Sequence, residues 1–325
     1  MRRISIILLV IICSLSCVSI FCRDKMKKST FYTSSGKLYD KRGEEFIIRG
    51  INNAHIWFPL IAFEALDKIA LTNCNTVRVV WNTHTEPIEL RRILQKIRSL
   101  KMVAIPELHD FTGTETKSDM ELAAKYWSRS DVKDILNEFK ENVLINVANE
   151  WMSGGDENNW FEAYREAIKI MRKAGLEHCI VIDAAGWGQD LEPTKKLAKT
   201  LLETDSLKNL LFDVHMYGAW SDETKMVNEL KYFSDNKIPL LVGEFGYNYE
   251  NGNNNLGCKV NAELLLKTCN DLGIGWIAWS WSGNDVGNRW LDLVKHWESY
   301  TPWGEIVVNS KYGIKNTSKK CSIYN

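Results

Sequence analysis

Two apolar runs each stop at a glutamate: Leu144-Ile-Asn-Val-Ala-Asn-Glu150 and Ile238-Pro-Leu-Leu-Val-Gly-Glu244. A short run of this kind, ended by a polar group, reads as a buried strand that delivers its last side chains to the rim of a sheet. Two carboxylates on one rim are the minimum equipment for hydrolysing a glycosidic bond. One must be neutral to give a proton to the leaving oxygen, while the other must be ionised to attack the anomeric carbon. Arg78, in the run Thr76-Val-Arg-Val-Val-Trp81, is placed to hold Glu244 ionised, because a nearby cation lowers a carboxyl pKa. Glu244 is therefore expected as the nucleophile. Glu150 is expected as the general acid, its pKa raised by apolar surroundings and by the charge of Glu244. Once Glu244 is esterified that charge disappears, and Glu150 can take a proton from water. Retention of configuration by this route asks for carboxyls about 5–5.5 Å apart.

Positioning these groups requires a repeated scaffold, and the chain supplies one. Strand-like runs fall at 45–52, 76–81, 102–108, 143–148, 179–183, 211–215, 240–243 and 275–280. Helical patterns lie between or after them, at 60–71, 86–100, 118–139, 159–174, 191–204, 222–236, 261–272 and 291–298. Eight strands alternating with eight helices predict an α/β fold, a (β/α)8 barrel, which at about 250 residues fits the chain as one domain over 31–325. Two aromatic stretches at 31–39, followed by Asp40-Lys-Arg-Gly43, predict a small N-terminal hairpin that plugs the barrel floor. The ends of the strands then share one rim. Gathered there are Asn52, Asn53, Arg78, Trp81, His109, Asp110, Asn149, Glu150, Asp183, His215, Tyr217, Glu244 and Trp279. Asp183 is expected to support loop geometry.

Composition narrows the partner. Forty-one basic and forty-one acidic residues cancel, which disfavours a nucleic-acid surface and suits a neutral ligand. Thirteen tryptophans are many for this length, and Trp57, Trp81, Trp151, Trp187, Trp220 and Trp281 fall just after predicted strands. Indole faces stack on the apolar faces of sugars. No Cys-x-x-Cys, His-x-His or His-Glu-x-x-His spacing suggests a metal, and no cofactor is expected. Of eight cysteines, Cys258 and Cys269 are candidates to bridge a loop to a helix.

The N-terminus has two arginines, a long apolar stretch and then small residues, which is the pattern of an export signal over 1–22, followed by a polar leader over 23–30. Ser14 and Ser16 would leave Cys17 first in the mature chain, as in a bacterial lipoprotein, and the apolar stretch also has the length of an uncleaved anchor. Each version predicts a secreted or surface-tethered protein, touching a membrane only through this segment.

The set Asn149-Glu150, Gly243-Glu244-Phe-Gly246, Arg78, His109, His215-Met-Tyr217 and Trp279 resembles the signature of glycoside hydrolase family 5. Within that family, Gly50-Ile-Asn-Asn-Ala-His-Ile-Trp57, Glu107-Leu-His-Asp-Phe-Thr-Gly113, Ile182-Asp-Ala-Ala-Gly-Trp-Gly-Gln189 and Trp276-Ile-Ala-Trp-Ser-Trp-Ser-Gly-Asn284 are similar to the bacterial endo-β-1,4-mannanases. The resemblance implies Glu150 as acid/base, Glu244 as nucleophile, Asn149 on the sugar 2-OH, and Arg78 and Tyr217 as partners of the nucleophile. It further implies His215 near the acid/base, His109 near the adjoining subsite and Trp279 as the stacking platform. Asn53, His55, Trp57 and Trp187 in the matched motifs are expected to bind substrate. The substrate implied is a plant mannan, galactomannan or glucomannan, attacked by a monomer. The loops 81–86, 151–155 and 217–220 depart from the family pattern, and they line subsites. The same chemistry on a β-1,4-glucan is the alternative, and a silent carbohydrate-binding barrel is disfavoured because both carboxylates are present.

Overall fold

The computed structural model describes residues 28–325. The expected signal at 1–22 and most of the leader lie outside the described residues. The hairpin comes first, from β1 (Tyr32–Ser34) and β2 (Lys37–Tyr39). There follow β3 (Arg49–Asn53), α1 (Pro59–Leu71), β4 (Thr76–Trp81), α2 (Pro87–Ser99), β5 (Val103–Leu108), α3 (Lys117–Trp127), α4 (Ser130–Glu138) and β6 (Ile145–Asn146). The second half runs α5 (Glu157–Lys173), β7 (Ile180–Asp183), α6 (Glu192–Thr204), β8 (Leu210–Met216), α7 (Glu223–Asp235), β9 (Leu240–Phe245), α8 (Ala262–Leu272) and β10 (Gly275–Ala278). A short hairpin of β11 (Val294–Lys295) and β12 (Ser299–Tyr300) precedes α9 (Pro302–Asn309) and α10 (Ile314–Thr317).

Strands β3 to β10 pair in parallel and close into an eight-stranded barrel in sequence order, with β10 returning to β3. A parallel barrel is covered on both faces, so its strands are apolar throughout; all six residues of β4 and of β5 are buried. The alternation of side chains sorts them. Val103, Ile105, Cys179, Val181, Leu211 and Leu241 fill the lower interior with Phe31, Leu38 and Phe46 of the N-terminal plug. Their neighbours Ala104, Ile180, Ile182, Phe212 and Val242 face the helices. The C-terminus closes the floor from below: Asp40 accepts from the Ser322 N–H and hydroxyl, and the Tyr324 hydroxyl donates to the Met102 carbonyl.

Three expectations are corrected. The single helix over 118–139 is two helices, because Arg129 adopts an extended backbone (ψ 140°) and Ser130 starts a new turn. The helix over 291–298 is instead the β11/β12 hairpin. His296 and Trp297 both have positive φ (52° and 63°), the twist that lets a tight turn join antiparallel strands. The eighth helix begins later, at Pro302, with the Thr301 hydroxyl accepting from the Gly304 N–H. Cys258 and Cys269 do not bridge; all five described cysteines are free and buried. Cys258 sits against Gly246, while Cys269 lies on α8 near Arg49. Burial pushes these thiols up to about 11 and about 12.

Candidate active site

Arg78 is the hub of the rim. It is fully buried and points inward from β4. Its Nη1 donates to Glu244 Oε1 at 2.8 Å and to Asn52 Oδ1 at 3.0 Å, and its Nη2 to Asn146 Oδ1 at 2.8 Å and Asn149 Oδ1 at 2.7 Å. One guanidinium thus fixes four side chains from three other strands or their ends, β3, β6 and β9. Its planar fork suits that task better than an ammonium. The Tyr217 hydroxyl donates to the other oxygen of Glu244 at 2.9 Å. Burial, then the charge of Glu244, hold that phenol well above its ordinary value, so it remains a donor.

Glu150 lies just beyond β6 with φ of +43°. A non-glycine residue there costs of order 1–3 kcal/mol and persists only when its surroundings hold it. Here its N–H donates to Asp183 Oδ2 at 2.8 Å, its carbonyl accepts from the Gly113 N–H at 3.0 Å, and its Oε1 lies 2.8 Å from His215 Nδ1. The twist also lets Asn149 and Glu150 both reach the site, which adjacent residues of a regular strand do not do. His215 stands between the glutamates, its Nδ1 3.6 Å from Glu244 Oε2. One oxygen of Glu150 and one of Glu244 lie within 4.8 Å of each other.

The charges are coupled. Burial pushes the Glu244 carboxyl up from its ordinary value, while His215 and Arg78 pull it down. The expectation that Arg78 alone would set Glu244 low is therefore amended: desolvation is the larger influence, and two cations are needed to oppose it. Burial disfavours a charged His215, yet Glu244, Asp213 and Glu150 together hold its pKa well above the ordinary histidine value. His109 is treated alike by burial and is raised by Glu107, whose Oε1 is 3.0 Å from its Nδ1. Among the described residues, Glu150, His215 and Glu244, and likewise Asp183, Asp213 and His215, bring donor atoms within 4.8 Å. The positive charge these carboxylates call for is already supplied by Arg78 and His215.

Above the carboxylates opens a cleft of about 670 Å³. Trp279 floors it, 9 % exposed, stacked on His109 at 6.0 Å and donating from Nε1 to Asn284 Oδ1 at 2.9 Å. Trp57 and Trp187, 47 % and 45 % exposed, also line it. Trp187 lies over Gly113, where a Cβ would come within 2.2 Å of the indole, so only glycine fits beneath it.

Several expected binders lie elsewhere. Asn53 and His55 are buried away from the cleft, with Asn53 Nδ2 donating to the Ala62 carbonyl and lying 3.1 Å from His55 Nε2, so that they fasten α1 to β3. Burial drives His55 down to about 3. Trp81, Trp151, Trp220 and Trp281 are buried and serve as packing; the Trp81 Nε1, for example, donates to the Tyr126 hydroxyl. Asp110 caps a loop, accepting from the Thr83 N–H. Gln189, Leu256, Asn284, Asp285 and Asn288 line the cleft without having been singled out. Gln189 and Asn284 end two of the motifs noted above; the other three sit in loops with no sequence signal.

With this geometry in hand, comparison with known proteins is decisive. The profile of Cellulase (glycosyl hydrolase family 5) matches residues 39–285. The chain belongs to glycoside hydrolase family 5. It is 34 % identical over 302 residues to the mannan endo-1,4-beta-mannosidase of Salipaludibacillus agaradhaerens, covering 90 % of this chain and 96 % of that one. Among solved structures, the catalytic domain of the mannanase from Streptomyces sp. SirexAA-E superimposes with a TM-score of 0.83 at 33 % identity, covering 90 % of this chain and 94 % of that one. The mannohexaose complex of the Thermomonospora fusca β-mannanase does so with 0.83 at 30 % identity, covering 92 % and 100 %. As a family 5 member the chain is a glycoside hydrolase built on a (β/α)8 barrel.

Proposed function

We propose that this family 5 protein is a secreted, retaining endo-glycosidase that cleaves β-1,4-mannosidic bonds, with Glu244 as nucleophile and Glu150 as acid/base. The observation that carries the mechanism is the approach of the two carboxylates to within 4.8 Å. With one oxygen of each that near, the pair accords with the roughly 5–5.5 Å of retaining enzymes better than with the about 6.5–9.5 Å of inverting ones. The mannan reading is supported by the activity named for the relatives and by the mannohexaose bound in one of them.

The residues divide the work. Arg78 and Tyr217 occupy both oxygens of Glu244 with donors, which favours its ionised form and aims it into the cleft. His215 occupies Oε1 of Glu150, leaving Oε2 to face the leaving group and donate its proton. Attack by Glu244 on the anomeric carbon forms an ester and breaks the bond to the leaving oxygen. The negative charge of Glu244 is thereby lost, Glu150 becomes the base, and water activated by Glu150 releases the sugar and frees Glu244. Asn149, anchored by Arg78 and donating to the Thr112 hydroxyl, is the candidate for the 2-OH. Trp279 offers its face to the sugar. No step calls for a cofactor. Export rests on the N-terminal charge and hydropathy pattern, and no helix among the described residues is long and apolar enough to cross a membrane.

The test is reducing-end release on linear mannan, galactomannan, glucomannan and carboxymethylcellulose, with Glu244→Ala alongside. Mannan hydrolysis that falls by at least about 10⁴-fold in the variant is expected. Release confined to the cellulose derivative would move the substrate to a glucan and keep the chemistry, while full activity in the variant would sink the nucleophile assignment.

A further inference from the structure

Both catalytic glutamates depend on an irregular piece of backbone. Glu150 sits at positive φ, as described. On β9 the irregularity is one of register: Val214 of β8 pairs with Val242, but His215 pairs with Glu244, so Gly243 is an extra residue. Side chains alternate along a strand, and Leu241 faces the barrel interior while Val242 faces the helices. Without the bulge Glu244 would share the outward face of Val242; with it, Glu244 turns in and Phe245 turns out.

A bulged residue has lost its ladder partner, and its N–H needs another. For Gly243 that partner is a buried carboxylate, Asp213 Oδ1, while its carbonyl accepts from Asn52 Nδ2 at 2.9 Å. The fit admits no side chain, since a Cβ on Gly243 would fall 2.0 Å from Asp213 Oδ2. The N–H of Glu150 is held in the same manner by Asp183, whose other oxygen accepts from Asn146 Nδ2 at 2.7 Å. Asp183 and Asp213 are directly opposed on β7 and β8 and both are fully buried. Their Oδ2 atoms each lie 3.8 Å from His215 Nε2.

We propose that Asp183 and Asp213 are paired positioning residues: each fixes the peptide N–H that aims one catalytic glutamate, and together they supply the counter-charge that keeps His215 doubly protonated between those glutamates. This rests on the glycosidase reading above for its kinetic consequences, though not for its geometry. Nε2 faces two carboxylate oxygens, and Nδ1 faces Glu150 Oε1, so a lone pair on either nitrogen would be repelled. Around His215 the charged or titratable groups are Glu150 from the end of β6, Asp183 from β7, Asp213 from its own strand and Glu244 from β9. Arg78 stands beyond, 2.8 Å from Glu244 and 3.9 Å from Asp183; Tyr217 donates to Glu244, and the buried Tyr164 hydroxyl of α5 lies beside the aspartates. Four acids surround the imidazole, and one guanidinium offsets them.

The two roles separate by substitution. Asp213→Asn keeps an oxygen for the Gly243 N–H but turns an amide donor toward Nε2, removing the charge; Asp213→Ala removes both. His215 is followed by imidazole ¹⁵N shifts across pH, kcat and KM are read on the mannan substrate, and folding is read by Tm. In the wild-type protein His215 should stay doubly protonated well past neutrality. Asp213→Asn and Asp183→Asn should move its titration down by about one unit or more. Asp213→Ala should lower kcat by about 100-fold, the scale of a misplaced reacting group, with KM little changed, and Asp213→Asn should recover a large part of that loss. A wild-type His215 that titrates at an ordinary histidine value overturns the proposal and needs no variant to fold. So does an Asp213→Ala protein whose kcat and His215 titration match wild type, or one that loses activity only in proportion to its folded fraction. An inactive wild type with His215 doubly protonated would instead overturn the glycosidase reading and leave the clamp standing.

Discussion

The two ends of the barrel interior are built by the same rule and filled with opposite material. At the floor, inward residues of successive strands are Val103, Leu144, Cys179, Leu211 and Leu241, closed by Phe31 and Phe46. Two to four positions further along the same strands they are replaced by Glu107, Asn146, Asp183, His215 and Glu244, every one buried. The floor is held by apolar contact, which is non-directional and tolerant. The rim is held by hydrogen bonds and charge, which demand partners in place: a buried polar group left unpaired costs more than its bond contributes. The backbone follows the division. Regular strands serve the floor, whereas the rim uses a bulge at Gly243 and positive φ at Glu150 and Trp187.

The largest effect should come from breaking the rim at its hub. Arg78→Leu strands four buried acids without their guanidinium, so a loss of about 3–5 kcal/mol in stability is expected. In activity, the loss should be about 10³-fold or more, as when a charge-stabilising donor is removed. Chemical denaturation and mannan hydrolysis read the two losses; a variant that is unstable yet fully active when folded would contradict the hub. Phe31→Ala makes the matching cut in the floor. It should cost about 3–5 kcal/mol through lost packing and cavity formation, while the kcat of the folded fraction stays at the wild-type value. A change in kcat would show the two ends to be mechanically linked.

The smallest and broadest effect is on pH. His178, buried before β7 with its Nε2 3.0 Å from the Leu136 carbonyl, is driven down to about 4 by burial. A base whose folded pKa lies below its unfolded value of about 6.5 stabilises the neutral protein and loses that contribution as pH falls from about 6.5 to 4, here about 3 kcal/mol. The rim acts in the other sense. Its carboxylate neighbours hold His215 well above the ordinary histidine value, so the native state keeps a proton that the unfolded chain gives up and loses stability as pH rises from about 6.5 through neutrality and beyond. Tm measured across pH should therefore peak on the acid side of neutrality, and His178→Phe should flatten only the acid slope. A Tm that climbs steadily into alkali would reverse the assignment of charge at the rim.

How much of this was legible depends on which regularity each residue obeyed. His215 and Glu244 were found because apolar runs ending in polar groups mark strand ends, and Arg78 because a cation inside an apolar run calls for a buried carboxylate partner. Asn53 and Trp81 were misplaced for a reason the same strands contain. Asn52 and Asn53 are adjacent, and Arg78 and Trp81 are three apart, so neither pair can share one face of a strand. The helix expected at 291–298 failed because a short apolar pattern cannot distinguish a helical turn from a hairpin whose two central residues take positive φ. Val294 and Trp297, three apart, satisfied both.

The amino-acid sequence by itself determined the eight barrel strands and their order, the family, and the placement of Glu150 and Glu244 at the ends of two of those strands, because hydrophobic period and strand-end chemistry are local properties. Only the tertiary structure decided which alternate residues face the barrel axis. That choice is made by closure of the sheet, and at β9 it is reversed by one extra residue whose N–H finds a carboxylate on the neighbouring strand. Whether a tryptophan stacks on solvent or on Tyr126, and whether an aspartate two residues below a histidine sets its charge, are likewise matters of three-dimensional neighbours, since burial and Coulomb interaction depend on distance through space and not on separation along the chain.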